Sequence, residues 1–170
     1  MKKRHSSPLI PLFPGPDMYL VETSAWIDID SRPDNEDVWV AVVSLINEGR
    51  LFTCREVLTE LRDNPIYPGR LKQYENALLA GDRNDPTYLM RVGKITHDHP
   101  GMSRPTSNKT PADPYVVALA QLENYVVVTN ETCARRPNRK IPGVCKQLNI
   151  RCLTLDQFVN ELKAPPKPMP

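Results

Sequence analysis

Four short apolar runs decide what this chain can become. They lie at residues 18–22, 50–53, 125–129 and 150–154, and each is too brief for a helix of ordinary length. Tyr19, Leu20 and Val21 carry no charge, and Tyr125 is followed by three valines. Uncharged runs without polar alternation suit strands covered on both faces, as in a parallel sheet. Between the runs, apolar residues recur at helical spacing. Val38, Val42, Leu45 and Ile46 mark a helix closed by Gly49, and Val57, Leu58 and Leu61 mark another over 55–62. Further helices are predicted over 69–80, 86–95, 112–123, 142–148 and 155–162. Strands alternating with helices predict an α/β fold, a three-layer sandwich with a central parallel sheet of about four to five strands and right-handed crossovers.

The 170 residues suffice for one domain with a sizeable core. The eighteen prolines gather at the ends and in loops. They set an extended leader over 1–17, a folded unit over 18–162 and a proline-rich tail over 163–170. A polar loop is predicted over 97–111 and a basic one over 132–140. Net charge is only +2, so any basic surface must be local. None of Cys54, Cys133, Cys145 and Cys152 forms a C-x-x-C pair, which argues against zinc and for reduced thiols. Residues 1–4 are basic, but prolines break the short apolar run behind them, so no signal peptide is expected. No run is long enough to span a membrane, and the expected location is the cytoplasm.

The informative residues stand where the strands stop. The first run ends in Glu22, followed by Thr23 and Ser24, and the third ends in Thr129, Asn130 and Glu131. Asp113 opens the helix leading into the third strand, and Glu56 and Glu60 share one side of the helix after the second. In open α/β folds, ligands bind at the carboxyl edge of the sheet. Glu22, Glu60, Asp113 and Glu131 can converge there. Two unit charges ~5 Å apart repel by roughly 3 kcal/mol at an effective dielectric near 20. Such a group needs protons or cations, and hard oxygen donors favour Mg²⁺ or Mn²⁺. Arg135, Arg136, Arg139 and Lys140 follow Glu131 within a few residues and can hold a polyanionic backbone beside the acids.

These stretches resemble the PIN-domain ribonucleases. LVETSAWIDI resembles the family's opening strand, acid and hydroxyl residues. EVLTEL resembles its glutamate helix, ADPYVVALA its third acidic motif, and VVVTNE its Thr-x-acid ending. The resemblance runs from about Tyr19 to Leu162 and is closest to a PIN-like branch with endings such as KIPGVCKQLNIRCLTL. It implies a Mg²⁺- or Mn²⁺-dependent endoribonuclease, with a VapC-type toxin, a cognate antitoxin protein and a homodimer as further expectations. Carried over by position, Glu22, Glu60, Asp113 and Glu131 are the catalytic acids. Glu22 and Asp113 are the main metal ligands, with Thr23, Ser24 and Thr129 as supporting hydroxyls.

The family usually carries aspartate at the first and fourth acidic positions, where this chain has glutamate. The added methylene moves each carboxylate outward, and Mg²⁺ demands near-ideal geometry. A weakened or inactive PIN-like module that binds RNA or protein is therefore the alternative. A phosphodiesterase acting on DNA is a third reading.

Overall fold

The computed structural model describes residues 16–64, 69–103, 111–132 and 139–164. Strands β1 (Tyr19–Val21), β2 (Leu51–Phe52), β3 (Val126–Thr129) and β4 (Cys152–Thr154) form one sheet in the order β2-β1-β3-β4. All three pairings are parallel. The α/β sandwich expected from the sequence is present, with four strands. β1 and β3, the two central strands, are buried along their whole length, as their uncharged sequences require.

Helices α1 (Thr23–Ser31), α2 (Asn35–Asn47) and α8 (Leu155–Lys163) pack on one another and on the sheet. Helices α5 (Pro86–Asp98), α6 (Asp113–Glu123) and α7 (Ile141–Gln147) form a second packed group, with α6 against β3 and α7 against β4. Val116 to Ala120 are all buried, so α6 has no solvent stripe of its own. Helix α3 (Arg55–Arg62) leans on α1, and Gly49, at φ +65°, turns the chain from α2 toward β2.

Several local expectations are corrected. No helix is expected over 23–31, yet these residues form α1. The alternation in AWIDID hides a helix whose N-terminus is made by the Glu22 side chain, which accepts from the N–H groups of Ser24 and Ala25. The helix expected over 69–80 is a 3₁₀ turn (Gly69–Tyr74) followed by the short α4 (Glu75–Leu78). It stops because Leu79 bridges Thr53, covering the outer edge of β2 with two backbone hydrogen bonds. Helix α5 runs on to Asp98 and a 3₁₀ turn follows at Pro100–Ser103, within the stretch expected to be a polar loop. Asp17, expected in the leader, is tied to the fold: its carboxylate pairs with Arg151 at 2.6 Å and its carbonyl accepts from Arg50 Nε. The rest of the leader up to residue 15, the tail from 165 and loop residues 104–110 lie outside the described residues.

From β1 the chain crosses to β2 on one side and then to β3 on the other. The topological switch point is therefore the crevice at the carboxyl ends of β1 and β3, the place where such sheets bind ligands.

Candidate functional site

In the parallel register Val21 stands beside Val128, so the residues just after them, Glu22 and Thr129, emerge at one height. The Glu22 N–H donates to the Val128 carbonyl at 3.1 Å, closing the sheet at this point. Its side chain is only 4 % exposed. Oε2 accepts from the Ser24 N–H at 2.8 Å. Oε1 accepts from the Ala25 N–H at 3.1 Å, the Asn130 N–H at 3.2 Å, the Thr129 hydroxyl at 2.9 Å and the Ser24 hydroxyl. Burial pushes the Glu22 carboxyl up, against these hydrogen bonds, which favour its charged form. The Ser24 and Thr129 hydroxyls thus both donate to Glu22, and Thr129 also accepts the Glu131 N–H at 3.0 Å.

Glu60, in the last turn of α3, faces the same crevice. The Thr23 hydroxyl donates to its Oε2, and the Ala112 N–H donates to its Oε1 at 2.9 Å. This second bond ties α3 to the start of α6, where Asp113 sits in the first turn. Asp113 accepts no hydrogen bond from the described residues. Its carboxyl is pushed from an ordinary 3.8 up to about 7 by burial first, then by the charges of Glu131, Glu22 and Glu60, with Lys140 opposing them. The four acids singled out in the sequence therefore lie along one edge of the sheet, with Asp113 in the field of the other three.

Glu131 completes the group. Its Oε1 pairs with the Lys140 ammonium and its Oε2 accepts the Ile141 N–H of α7 at 3.0 Å. Of the four basic loop residues, Arg135 and Arg136 lie outside the described residues. Arg139 lays its stem across the turn at Gly101, where an added Cβ would come within 2.2 Å of Arg139 Cγ. Lys140, expected to meet RNA, instead faces the acids.

Glu56 and Glu60 share a helical face, yet only Glu60 reaches the crevice. Glu56 is 3 % exposed and pairs with Arg83, and its Oε2 has no partner. Two further contacts carried no clear signal in the sequence, although their residues stand beside the predicted site. The Asn130 amide donates to Asp28, which fixes the turn after β3 against α1. Lys140 looked like one member of a basic run.

Among the described residues, no three His, Cys, Asp or Glu side chains stand in a ready-made ligating array. The donor set is nevertheless all hard oxygen. Among the described residues, no donor reaches either Asp113 oxygen, and Glu22 Oε2 and both Glu60 oxygens each take one, which leaves a lone pair on each. The residues present suit a cation of the Mg²⁺ type. Cys54 and Cys145 are buried and Cys152 is partly so, all three free thiols and none among the acids. No helix among the described residues is long and apolar enough to cross a membrane.

The family described as "Domain of unknown function (DUF4411)" matches residues 19–165, from the first residue of β1 to just past α8. The chain belongs to that family. No curated protein matches it.

Proposed function

We propose that this family member is a Mg²⁺- or Mn²⁺-dependent endoribonuclease that hydrolyses RNA phosphodiester bonds at the β1–β3 switch point. One observation carries the reading: among the described residues Asp113 has no hydrogen-bond donor, and it stands in the field of Glu131, Glu22 and Glu60, so the charge of the group calls for a cation. Asp113 and Glu22 would hold the ion, with Glu60 and Glu131 completing its surroundings. A bound divalent ion supplies Lewis acidity and positive charge against a phosphate oxyanion. The chain's own residues do the rest. Thr129, Ser24 and the Asn130 N–H fix the Glu22 carboxylate, and Thr23 and the Ala112 N–H fix Glu60. Arg139, with Arg135 and Arg136 before it, supplies positive charge for a polyanionic strand.

The resemblance to PIN-domain ribonucleases supports RNA as substrate, and with it a toxin held by an antitoxin protein, a homodimer and a cytoplasmic setting. The test is calorimetric titration with Mn²⁺ and Mg²⁺, followed by cleavage assays on matched RNA and DNA with and without EDTA. Wild type should bind Mn²⁺ and cut RNA only when a divalent ion is present, and Asp113→Asn should lose both. Full cleavage by Asp113→Asn would sink the assignment, and preference for DNA would move the substrate.

A non-catalytic RNA-binding or interaction module is the second reading, and a specific observation favours it. Glu22 caps α1 with a carboxylate already given five hydrogen bonds, and Glu131 is engaged by Lys140 and α7. RNA binding that is unchanged in EDTA, with no Mn²⁺ uptake, would establish it.

A further inference from the structure

Lys140 is the cation that the fold itself brings to the acids. Its backbone is extended, at φ −120° and ψ 143°, and forms the N-cap of α7. Ile141, the next residue, is fully buried, and Pro142 stiffens the first turn. The base of the side chain is thus fixed. Its far end is different: the side chain is 47 % exposed, against 15 % for its partner Glu131. The ammonium is held in its charged form by the hydrogen bond to Glu131, with the charges of Glu131, Asp113 and Glu22 adding to the effect.

We propose that Lys140 is a tethered counter-ion that holds the cation position of the acid group and gives way when a divalent ion enters. The inference rests on the reading of this site as a metal centre. Four carboxyl groups face a single ammonium here, so the group still attracts cations. A divalent ion brings twice the charge of the ammonium and accepts oxygen donors, whereas the ammonium can only donate. Glu131 is where the two compete, because one of its oxygens is engaged by Lys140 and the other by the Ile141 N–H. The fixed backbone and half-exposed side chain let the ammonium swing out to water without disturbing α7. Lys140 is therefore a positioning residue for the cation, and its ammonium is free to face solvent only once the ion is in place.

The test is Mn²⁺ calorimetry on wild type, Lys140→Met and Lys140→Arg at one pH and ionic strength. Lys140→Met should bind Mn²⁺ about tenfold tighter, equivalent to about 1.4 kcal/mol. Lys140→Arg, which keeps the charge, should stay close to wild type. In EDTA the Met variant should melt below wild type, and saturating Mn²⁺ should close the gap. A second measurement needs no variant: acetylation of Lys140 in wild type, followed by mass spectrometry, should speed up when Mg²⁺ saturates the site. Mn²⁺ binding that is equal or weaker in Lys140→Met, or acetylation indifferent to Mg²⁺, overturns the counter-ion role and leaves the metal centre standing. Failure of every protein to bind a divalent ion overturns both.

Discussion

Asp113→Asn keeps the shape of the side chain and removes its charge, so it measures the electrostatic load on the acid group directly. The Asp113 carboxyl rises from an ordinary 3.8 to about 7 in the folded protein. A folded value above the unfolded one means that the native state binds the proton more tightly. The associated stability is full below about pH 3.8 and is lost as pH rises through about 7. At ~1.4 kcal/mol per pH unit, a rise of this size corresponds to about 4 kcal/mol lost in wild type by pH 8. Asparagine does not titrate. In EDTA the variant should match wild type near pH 4 and exceed it progressively, reaching about 4 kcal/mol at pH 8. For a chain of this size that is roughly 8–16 °C in melting temperature. The assay is thermal unfolding of both proteins from pH 4 to 8 in a metal-free buffer series. Saturating Mn²⁺ at pH 8 should then stabilise wild type far more than the variant. A difference that does not change with pH, or a variant less stable than wild type at pH 8 in EDTA, would refute the clustering of charge around Asp113.

Two further substitutions test the surroundings. Glu22→Asp draws the carboxylate back by about 1.5 Å, one carbon–carbon bond, so it cannot cap α1 and still reach Thr129 and the Asn130 N–H. Urea unfolding should show a loss of about 2–3 kcal/mol, with Thr129 left buried and under-satisfied, and unchanged stability would show that those contacts carry no weight. Arg83→Met strips the counter-charge from Glu56, which is 3 % exposed. Because Arg83 is itself half in water, the expected loss is about 1–3 kcal/mol rather than the larger figure for a fully buried pair. The double variant Arg83→Met with Glu56→Met should recover most of it in a double-mutant cycle. An effect of Arg83→Met within measurement error would refute the pairing.

The strands were legible because each is a short, mostly apolar run, and all four stand within two residues of their expected ends. Helix α1 was not, and the reason is physical. Its residues alternate apolar and acidic, which favours a strand locally, and what makes them helical is the carboxylate of Glu22 folded back onto the first turn. The break at 69–80 was hidden for a different reason: Leu79 leaves the helix to meet Thr53, a partner distant in sequence. Local periodicity carries neither kind of information. The acids were legible because a parallel sheet sends its strand ends to one edge, so Glu22 and Glu131 had to be neighbours once β1 and β3 paired.

The choice between Glu56 and Glu60 shows where such reasoning stops. The two lie one helical turn apart on the same side of α3, and nothing in EVLTEL separates them. Their roles are set by what approaches from elsewhere: the Ala112 N–H and the Thr23 hydroxyl reach Glu60, and Arg83 reaches Glu56. Lys140 follows the same rule in the opposite sense, since a basic run in sequence gives no sign that one member turns back on an acid. That turn also joins the two electrostatic arguments. A proton on Asp113, the ammonium of Lys140 and a divalent ion all relieve the same repulsion, so each weakens the attraction for the others. The Asp113 proton is lost as pH rises through neutrality, whereas Lys140 stays charged. Above that point the ammonium is, among the described residues, the internal competitor left for a cation entering the β1–β3 crevice.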